Sequence, residues 1–186
     1  MEPEAAPRDN CRRGKTPSSP QTAPAYLCTM IDSDTFRSVL GRFASGVTIV
    51  TARDDAGADH GMTVSAFCSL SLEPPLVLLC VDHAASMYDL LMSHPRFGVS
   101  ILSSDQEAYS RRFADPDSDR FDGIAYTRGE SGAVLLDDAL AHLECRAIEH
   151  YEGGDHTIFI AEVERAEPRH GRPLLYYRGG YAQLER

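Results

Sequence analysis

Gly61-Met62-Thr63-Val64-Ser65-Ala66-Phe67-Cys68-Ser69-Leu70-Ser71, followed after Leu72-Glu73 by Pro74-Pro75-Leu76-Val77-Leu78-Leu79-Cys80-Val81, is the stretch on which the fold turns. Residues 60–71 are rich in β-branched, aromatic and small hydroxyl side chains and read as one extended strand. Glu73, Pro74 and Pro75 then interrupt pairing, since proline has no backbone N–H to give to a ladder. Residues 76–81 form an unbroken apolar run, the pattern of a strand buried on both faces. On the N-terminal side, residues 47–52 are β-branched and residues 54–59 are turn-like, so the extended stretches on either side of that turn are expected to pair as a hairpin.

Ahead of the hairpin, Asp32 or Ser33 is suited to cap a helix, on one face of which Phe36, Val39, Leu40 and Phe43 repeat, with Gly46 as its terminator. Beyond the apolar run a short helix is expected, with Ser86 near its start and Met87, Leu90 and Leu91 turned inward, stopped by His94-Pro95. Residues 97–102 read as a strand, 105–113 as a short helix, and 114–132 as a polar loop too long for a mere connection, the kind that borders a site. Residues 139–151 and 156–167 are long extended segments joined by Glu152-Gly153-Gly154-Asp155, a quartet suited to a hairpin turn, and residues 174–177 supply a last strand. Many antiparallel strands with few, short helices predict a mainly β chain, a closed or partly closed barrel rather than a doubly wound sheet.

A chain of 186 residues with 42% hydrophobic content can build one sizeable core. Residues 1–30 hold five of the eleven prolines, little apolar material and no periodicity, so a disordered extension is expected there, ahead of one folded domain over residues 31–186. The net charge of -10, with Lys15 the sole lysine, argues against a nucleic-acid or anionic-membrane partner. The five cysteines (Cys11, Cys28, Cys68, Cys80 and Cys145) are scattered and contain no zinc-like pair, so neither a disulfide scaffold nor a metal site is expected. No apolar run approaches the roughly 20 residues needed to span a bilayer and the N-terminus lacks the pattern of a secretory signal, which makes a reducing cytoplasm the expected location.

Hydroxyls crowd the deciding stretch at Thr63, Ser65, Ser69 and Ser71. They suit either a solvated sheet face or a polar lining for a planar ligand such as a flavin, whose ring edge needs hydroxyl and backbone partners and whose phosphate needs donors at a turn such as that of Ser86. His142 with Cys145, or His150 with His156, would give a metal at most two ligands each, and Cys80 on an apolar strand suits an inert thiol better than a nucleophile. No G-x-G-x-x-G follows a strand, so a Rossmann-type nicotinamide site is not expected.

The run from Phe36 to Thr51, the run from Gly61 to Phe67, and Leu70-Ser71-Leu72-Glu73-Pro74-Pro75-Leu76-Val77 together resemble the short-chain flavin reductases. Gly154-Asp155-His156-Thr157-Ile158-Phe159 and Pro173-Leu174-Leu175-Tyr176-Tyr177-Arg178-Gly179-Gly180-Tyr181 match the same family in the same order. The resemblance implies an FMN-binding split β-barrel homodimer that reduces FAD or FMN with NADH, or NADPH, and releases it to a separate flavin-dependent monooxygenase, commonly one acting on aromatic substrates. It implies flavin contacts at Ser45, Gly46, Val47 and Thr48, at Met62, Thr63, Val64, Ser65 and Ala66, at Ser69, Leu70 and Ser71, at Cys80 and Val81, and at Ala85, Ser86 and Met87. It places His156 on the nicotinamide side as the catalytic candidate, with Gly179, Tyr181 and Arg42 near the same pocket. Cys68 and the pair Asp82-His83 depart from the family pattern. Without the resemblance, His156 could simply open a strand after the glycine turn. The competing readings are a non-catalytic flavin-binding barrel and an oxidase of the pyridoxamine-phosphate type, for which a lysine-based phosphate clamp is missing.

Overall fold

In a computed structural model that describes residues 31–184, the elements run α1 (Ser33–Leu40), β1 (Ser45–Gly46), β2 (Thr48–Arg53), β3 (Asp59–Val64), β4 (Phe67–Leu72), β5 (Pro75–Asp82), α2 (Tyr88–Ser93) and β6 (Arg96–Ile101). They continue as α3 (Glu107–Ala114), β7 (Tyr126–Arg128), β8 (Val134–Leu136), β9 (Ala141–Gly153), β10 (His156–Pro168), β11 (Leu175–Tyr177) and β12 (Gly180–Ala182). The extension expected over residues 1–30 lies outside the described residues. One seven-stranded sheet has the order β3-β2-β6-β9-β10-β5-β4, beside a three-stranded sheet β1-β11-β12 and the hairpin β7-β8, and every ladder is antiparallel.

The strand expected over residues 60–71 is two strands. β3 and β4 are neighbours in sequence yet occupy opposite edges of the large sheet, joined only by Ser65 and Ala66. With about 3.8 Å between successive Cα atoms, so short a link forces the two edges together at this corner and curls the sheet into a partly closed barrel. The Cys80 N–H, bonded to the Ala66 carbonyl at 3.0 Å, fastens the corner to β5.

Burial also differs from expectation. β5 alternates, with Val77, Leu79 and Val81 in the core and Leu76, Leu78 and Cys80 half-buried on the outer face; the strand buried on both faces is β2. Val50 and Ala52 enter a core with Met62, Leu79, Phe97 and Phe159, whereas Val47 and Ile49 enter a second core with Leu102, Phe113, Leu136 and Leu174. The second core lies on the side that β8 covers. There Thr51 donates to the Val134 carbonyl, Ser100 accepts from the Leu136 N–H at 3.0 Å, and His142 donates to the Leu136 carbonyl at 2.6 Å.

Helix α1 ends at Leu40, well before the expected stop at Gly46, which instead lies in β1 and pairs with Leu175 of β11. Gly41 is the reason: its carbonyl accepts from Arg178 N–H at 2.7 Å, and a Cβ there would sit 2.9 Å from the Arg37 carbonyl. The apolar face of α1 does not enter the core, for Phe36 is 52% and Phe43 80% exposed. The second helix, α2, begins at Tyr88 and buries Met87 and Leu91 as expected, with Leu90 half-buried. β9 and β10 form the long hairpin on either side of Gly153 and Gly154, with bulges near Ile160 and Val163.

Candidate functional site

Two adjoining clefts open along β3. The first, about 220 Å³, is lined by Val47, Thr63, Ser65, Ser110, Ala114, Tyr176 and Tyr181. Thr63 donates its hydroxyl proton to the Ser110 carbonyl at 2.7 Å, and the Ser110 and Tyr181 hydroxyls are bonded to each other at 2.7 Å. Tyr181 is held from both sides, by the Arg111 guanidinium 4.8 Å from its ring centre and by the edge of Tyr176 at 5.7 Å. The three-stranded sheet builds this wall: Ser45 pairs with Tyr176 and Tyr176 with Tyr181, while Arg178 and Gly179, both at positive φ, make the tight turn between β11 and β12. Of the expected contacts, Val47, Thr63, Ser65 and Tyr181 line this cleft, and Ser45, Gly46 and Gly179 belong to the sheet that builds its wall. Arg42 is exposed.

The second cleft, about 330 Å³, is lined by Asp59, His60, Gly61, Ser86, Pro116, Ser118, Asp119, Arg120 and Phe121. Gly61 and Thr63 lie two residues apart on one face of β3, so the clefts are separated by about 7 Å along the strand. The first is bounded by the end of α3 and the second by the loop beyond it. Gly61 permits that approach: a Cβ there would stand 2.6 Å from the Phe113 ring. Arg120 reaches across the cleft, donating to the Gly61 carbonyl, to the Ser86 hydroxyl at 3.2 Å, and from Nε to the Asp115 carbonyl at 3.2 Å. Asp59 is neutralised by both Arg128 amino groups, at 2.6 and 2.9 Å; this bonding, ahead of the opposing effect of burial, holds its carboxyl below the usual range.

His156 opens β10 opposite Asp82, and its Nδ1 lies 2.7 Å from the Asp155 carboxylate. A carboxylate only accepts, so Nδ1 carries the proton and Nε2 is left to face outward as an acceptor in the neutral ring. Beside it, His83 Nε2 contacts the Thr157 hydroxyl at 3.1 Å and the Glu152 carboxylate at 3.2 Å, and Tyr88 reaches the same Thr157 at 3.3 Å. The departure at Asp82-His83 thus ties the turn that carries Ser86 to the strand that starts with His156. The hydrogen bonds of His156 run to this corner rather than into either β3 cleft.

Other expected contacts point elsewhere. The Thr48 hydroxyl is buried on the Val64 carbonyl at 2.7 Å, and Met62, Val64, Val81 and Met87 have their side chains in the core. Such residues can offer a ligand backbone groups alone, and β3, paired on one side only, has a free edge from which to offer them. Ala66 is exposed at the corner and Ala85 is half-buried against the core. Ser69 and Leu70 are exposed on the β4 edge, the half-buried Ser71 hydroxyl accepts from the Glu73 N–H at 3.2 Å, and Cys80 lies on the outer face. Burial, then the neighbouring Cys68, pushes the Cys80 thiol up, consistent with an inert thiol. Among the described residues no cluster of His, Cys, Asp or Glu could hold a metal, and no helix is long and apolar enough to cross a membrane. Sequence reading missed Ser110, Ala114, Tyr176 and Arg120; the one signal for Arg120 was the excessive length of its loop.

The donor set fits a flavin nucleotide: a free strand edge with hydroxyls at one end, and a guanidinium a few ångströms away. The model of the flavin reductase like domain family matches residues 40–185. A NADH-dependent FAD reductase from Streptomyces globisporus is 44% identical over 162 residues, covering 84% of this chain and 88% of that protein. The reductase component of a 4-nitrophenol 4-monooxygenase/4-nitrocatechol 2-monooxygenase from Rhodococcus opacus is 42% identical over 154 residues, covering 83% of this chain and 82% of that protein. The structure of the Streptomyces globisporus NADH:FAD oxidoreductase in complex with NAD and FAD fragments superposes with a TM-score of 0.77 at 41% identity, over 85% of this chain and 98% of that one.

Proposed function

Because the chain belongs to the flavin reductase like domain family, we propose that it uses NADH to reduce a flavin nucleotide and hands the reduced flavin to a separate monooxygenase. The observation that carries this reading is the pair of adjoining clefts on the free edge of β3, one lined with hydroxyls and one crossed by an arginine. When bound, flavin and nicotinamide supply the hydride chemistry between them, and the protein's task is to orient and shield. Thr63, its proton committed to Ser110, presents an oxygen that accepts. Ser110 and Tyr181 share one proton, so one of the two hydroxyls has a proton left to give. Val47 adds an apolar surface against which a flat ring can lie. Nε2 of His156 is the group offered to the nicotinamide amide.

FAD and NADH are the preferred pair, following the relative named for them, with FMN and NADPH as the alternatives. The oxygenase partner acts on an aromatic compound, as the nitrophenol relative suggests. A second copy of the chain covers the apolar outer surface, namely Phe36 and Val39 on α1, Phe43 just after it, and Leu72, 95% exposed, with Leu70 on β4. The enzyme works in the cytoplasm, where NADH is at hand.

Purified protein given NADH or NADPH, with no flavin, FMN or FAD, tests the reading when an absorption spectrum for retained flavin is taken alongside. Nicotinamide oxidation that rises with added flavin is expected. Retained flavin with no nicotinamide oxidation would make the chain a flavin-binding module instead.

A further inference from the structure

We infer that His83 is a positioning residue for the nicotinamide step: it clamps the turn that carries His156 and so fixes where Nε2 of His156 stands. This rests on the reading of His156 given above and names the group on which its placement depends.

His156 follows a stretch of chain that has little to hold it. Residues 148–155, at the tip of the β9–β10 hairpin, are all exposed, and the tip turns on Gly153 and Gly154, the latter at φ +81°. Glycine has the most backbone freedom of any residue, so such a tip stays in one place only where other parts of the chain bond to it. The ladder between β5 and β10 ends with the Asp82–His156 pair. His83, one residue further along, grips both chain neighbours of His156. Its backbone N–H donates to the Asp155 carbonyl at 3.0 Å, and its ring Nε2 lies 3.1 Å from the Thr157 hydroxyl. The same Nε2 lies 3.2 Å from the carboxylate of Glu152, in β9.

The protons of this cluster have one consistent arrangement. A carboxylate only accepts, so Nε2 of His83 carries a proton, shared between Glu152 and Thr157. Thr157 donates to the other Glu152 oxygen at 3.4 Å, which leaves Tyr88, 3.3 Å away, to donate to Thr157. Tyr88 also packs its ring against that of His83, with the centres 5.0 Å apart. Thr157 is fully buried, so the clamp has a firm anchor while His156 beside it stays half-buried. His83, Tyr88, Glu152 and Thr157 line neither cleft on β3, so loosening the clamp should act on the nicotinamide and spare the flavin. A positioning group displaced by about 1 Å can cost on the order of a hundredfold in rate, and a group that is loosened but still present should cost less.

The test measures NADH kinetics at saturating flavin, flavin dissociation constants by fluorescence quenching, and backbone amide hydrogen exchange. The variants are His83→Ala, His83→Gln, Thr157→Val, His156→Ala and the double variant His83→Ala/His156→Ala. His83→Ala is expected to lower kcat/KM for NADH about three- to tenfold, with flavin affinity moving less than about twofold, and to speed exchange at residues 152–157. His83→Gln, whose amide N–H reaches where Nε2 stood, should recover most of the loss, and Thr157→Val should show a loss of the same kind. In the double variant the effect of His83→Ala should vanish, because a residue that acts only through His156 has nothing left to act on. Full additivity of the two losses would overturn the inference, as would an unchanged kcat/KM in His83→Ala or an equal weakening of flavin binding. His156→Ala judges the underlying reading by itself: unchanged kinetics there remove His156 from the site and the inference with it, whereas a loss there with none in His83→Ala sinks the inference alone.

Discussion

Clefts open at two places along the face of the sheet that β8 covers, and they differ in what happens to their charges. Next to the β7–β8 hairpin, a cleft of about 460 Å³ is lined by Arg96, Glu130, Ser131, Glu144, Glu164 and Arg165. It is larger than either cleft on β3, yet each of its charged groups is satisfied from within. Arg165 pairs with Glu130 and Arg96 with Glu164, and Glu144, 5% exposed, accepts from the Ser131 N–H at 2.6 Å and the Glu130 N–H at 3.2 Å. In the β3 clefts the hydroxyls and Arg120 have bonding capacity left over. Unspent donors, not volume, mark the place where a ligand belongs.

The largest effect that would sharpen this contrast is expected at His156. His156→Ala should lower kcat/KM for NADH on the order of ten- to a hundredfold while flavin affinity holds, because it removes a positioning group and no flavin contact. Unchanged steady-state kinetics would take His156 out of the site. Gly61→Ala should cost about 1–3 kcal/mol in thermal or denaturant unfolding and weaken flavin binding as well, since its methyl would press on the buried Phe113 ring 2.6 Å away and push α3 off β3.

Glu144→Gln should cost a similar amount, about 1–3 kcal/mol, with the catalytic rate per folded molecule unchanged. Burial alone would raise the Glu144 carboxyl, but hydrogen bonds from Ser131 and Glu130 outweigh it and hold the carboxyl below its ordinary value. A depressed folded-state value means stabilisation that is full above the ordinary carboxylate range and lost as pH falls through the folded value. Denaturant midpoints measured from neutral to acid pH should therefore converge for wild type and Glu144→Gln at the acid end. A gap that persists there would contradict the assignment. The smallest effect is expected from Arg165→Ala, an exposed pair worth less than about 1 kcal/mol, with no change in flavin or NADH kinetics. A kinetic defect in that variant would break the contrast between the two places.

Much of the fold was legible because long elements repeat. The β9–β10 hairpin falls where thirteen-residue extended segments flank Gly153 and Gly154, and the helices α2 and α3 start and stop close to their signals. The short strands β1, β7, β8 and β12, two or three residues each, are too brief to show a period. The corner at Ser65 and Ala66 carries no glycine or proline, so nothing in the sequence divides β3 from β4. The apolar face of α1 was legible, but not that it would lie outside the core.

Hydroxyls were the weakest guide to the site. Thr48, Thr51 and Ser100 all bond to backbone inside the protein, whereas Thr63, Ser110 and Tyr181 form the wall of a cleft, and composition does not separate these uses. Arg120, set among Asp115, Asp117, Asp119 and Asp122, reads in sequence as one charge on a solvated loop. Only its placement against Gly61 and Ser86, brought together from distant parts of the chain, singles it out.

The most direct test of the central claim is backbone amide hydrogen exchange with and without saturating FAD. Slowed exchange confined to residues 61–66, the turn around Ser86 and the loop carrying Arg120 is the predicted result. Protection at residues 130–144, or none on β3, would contradict it.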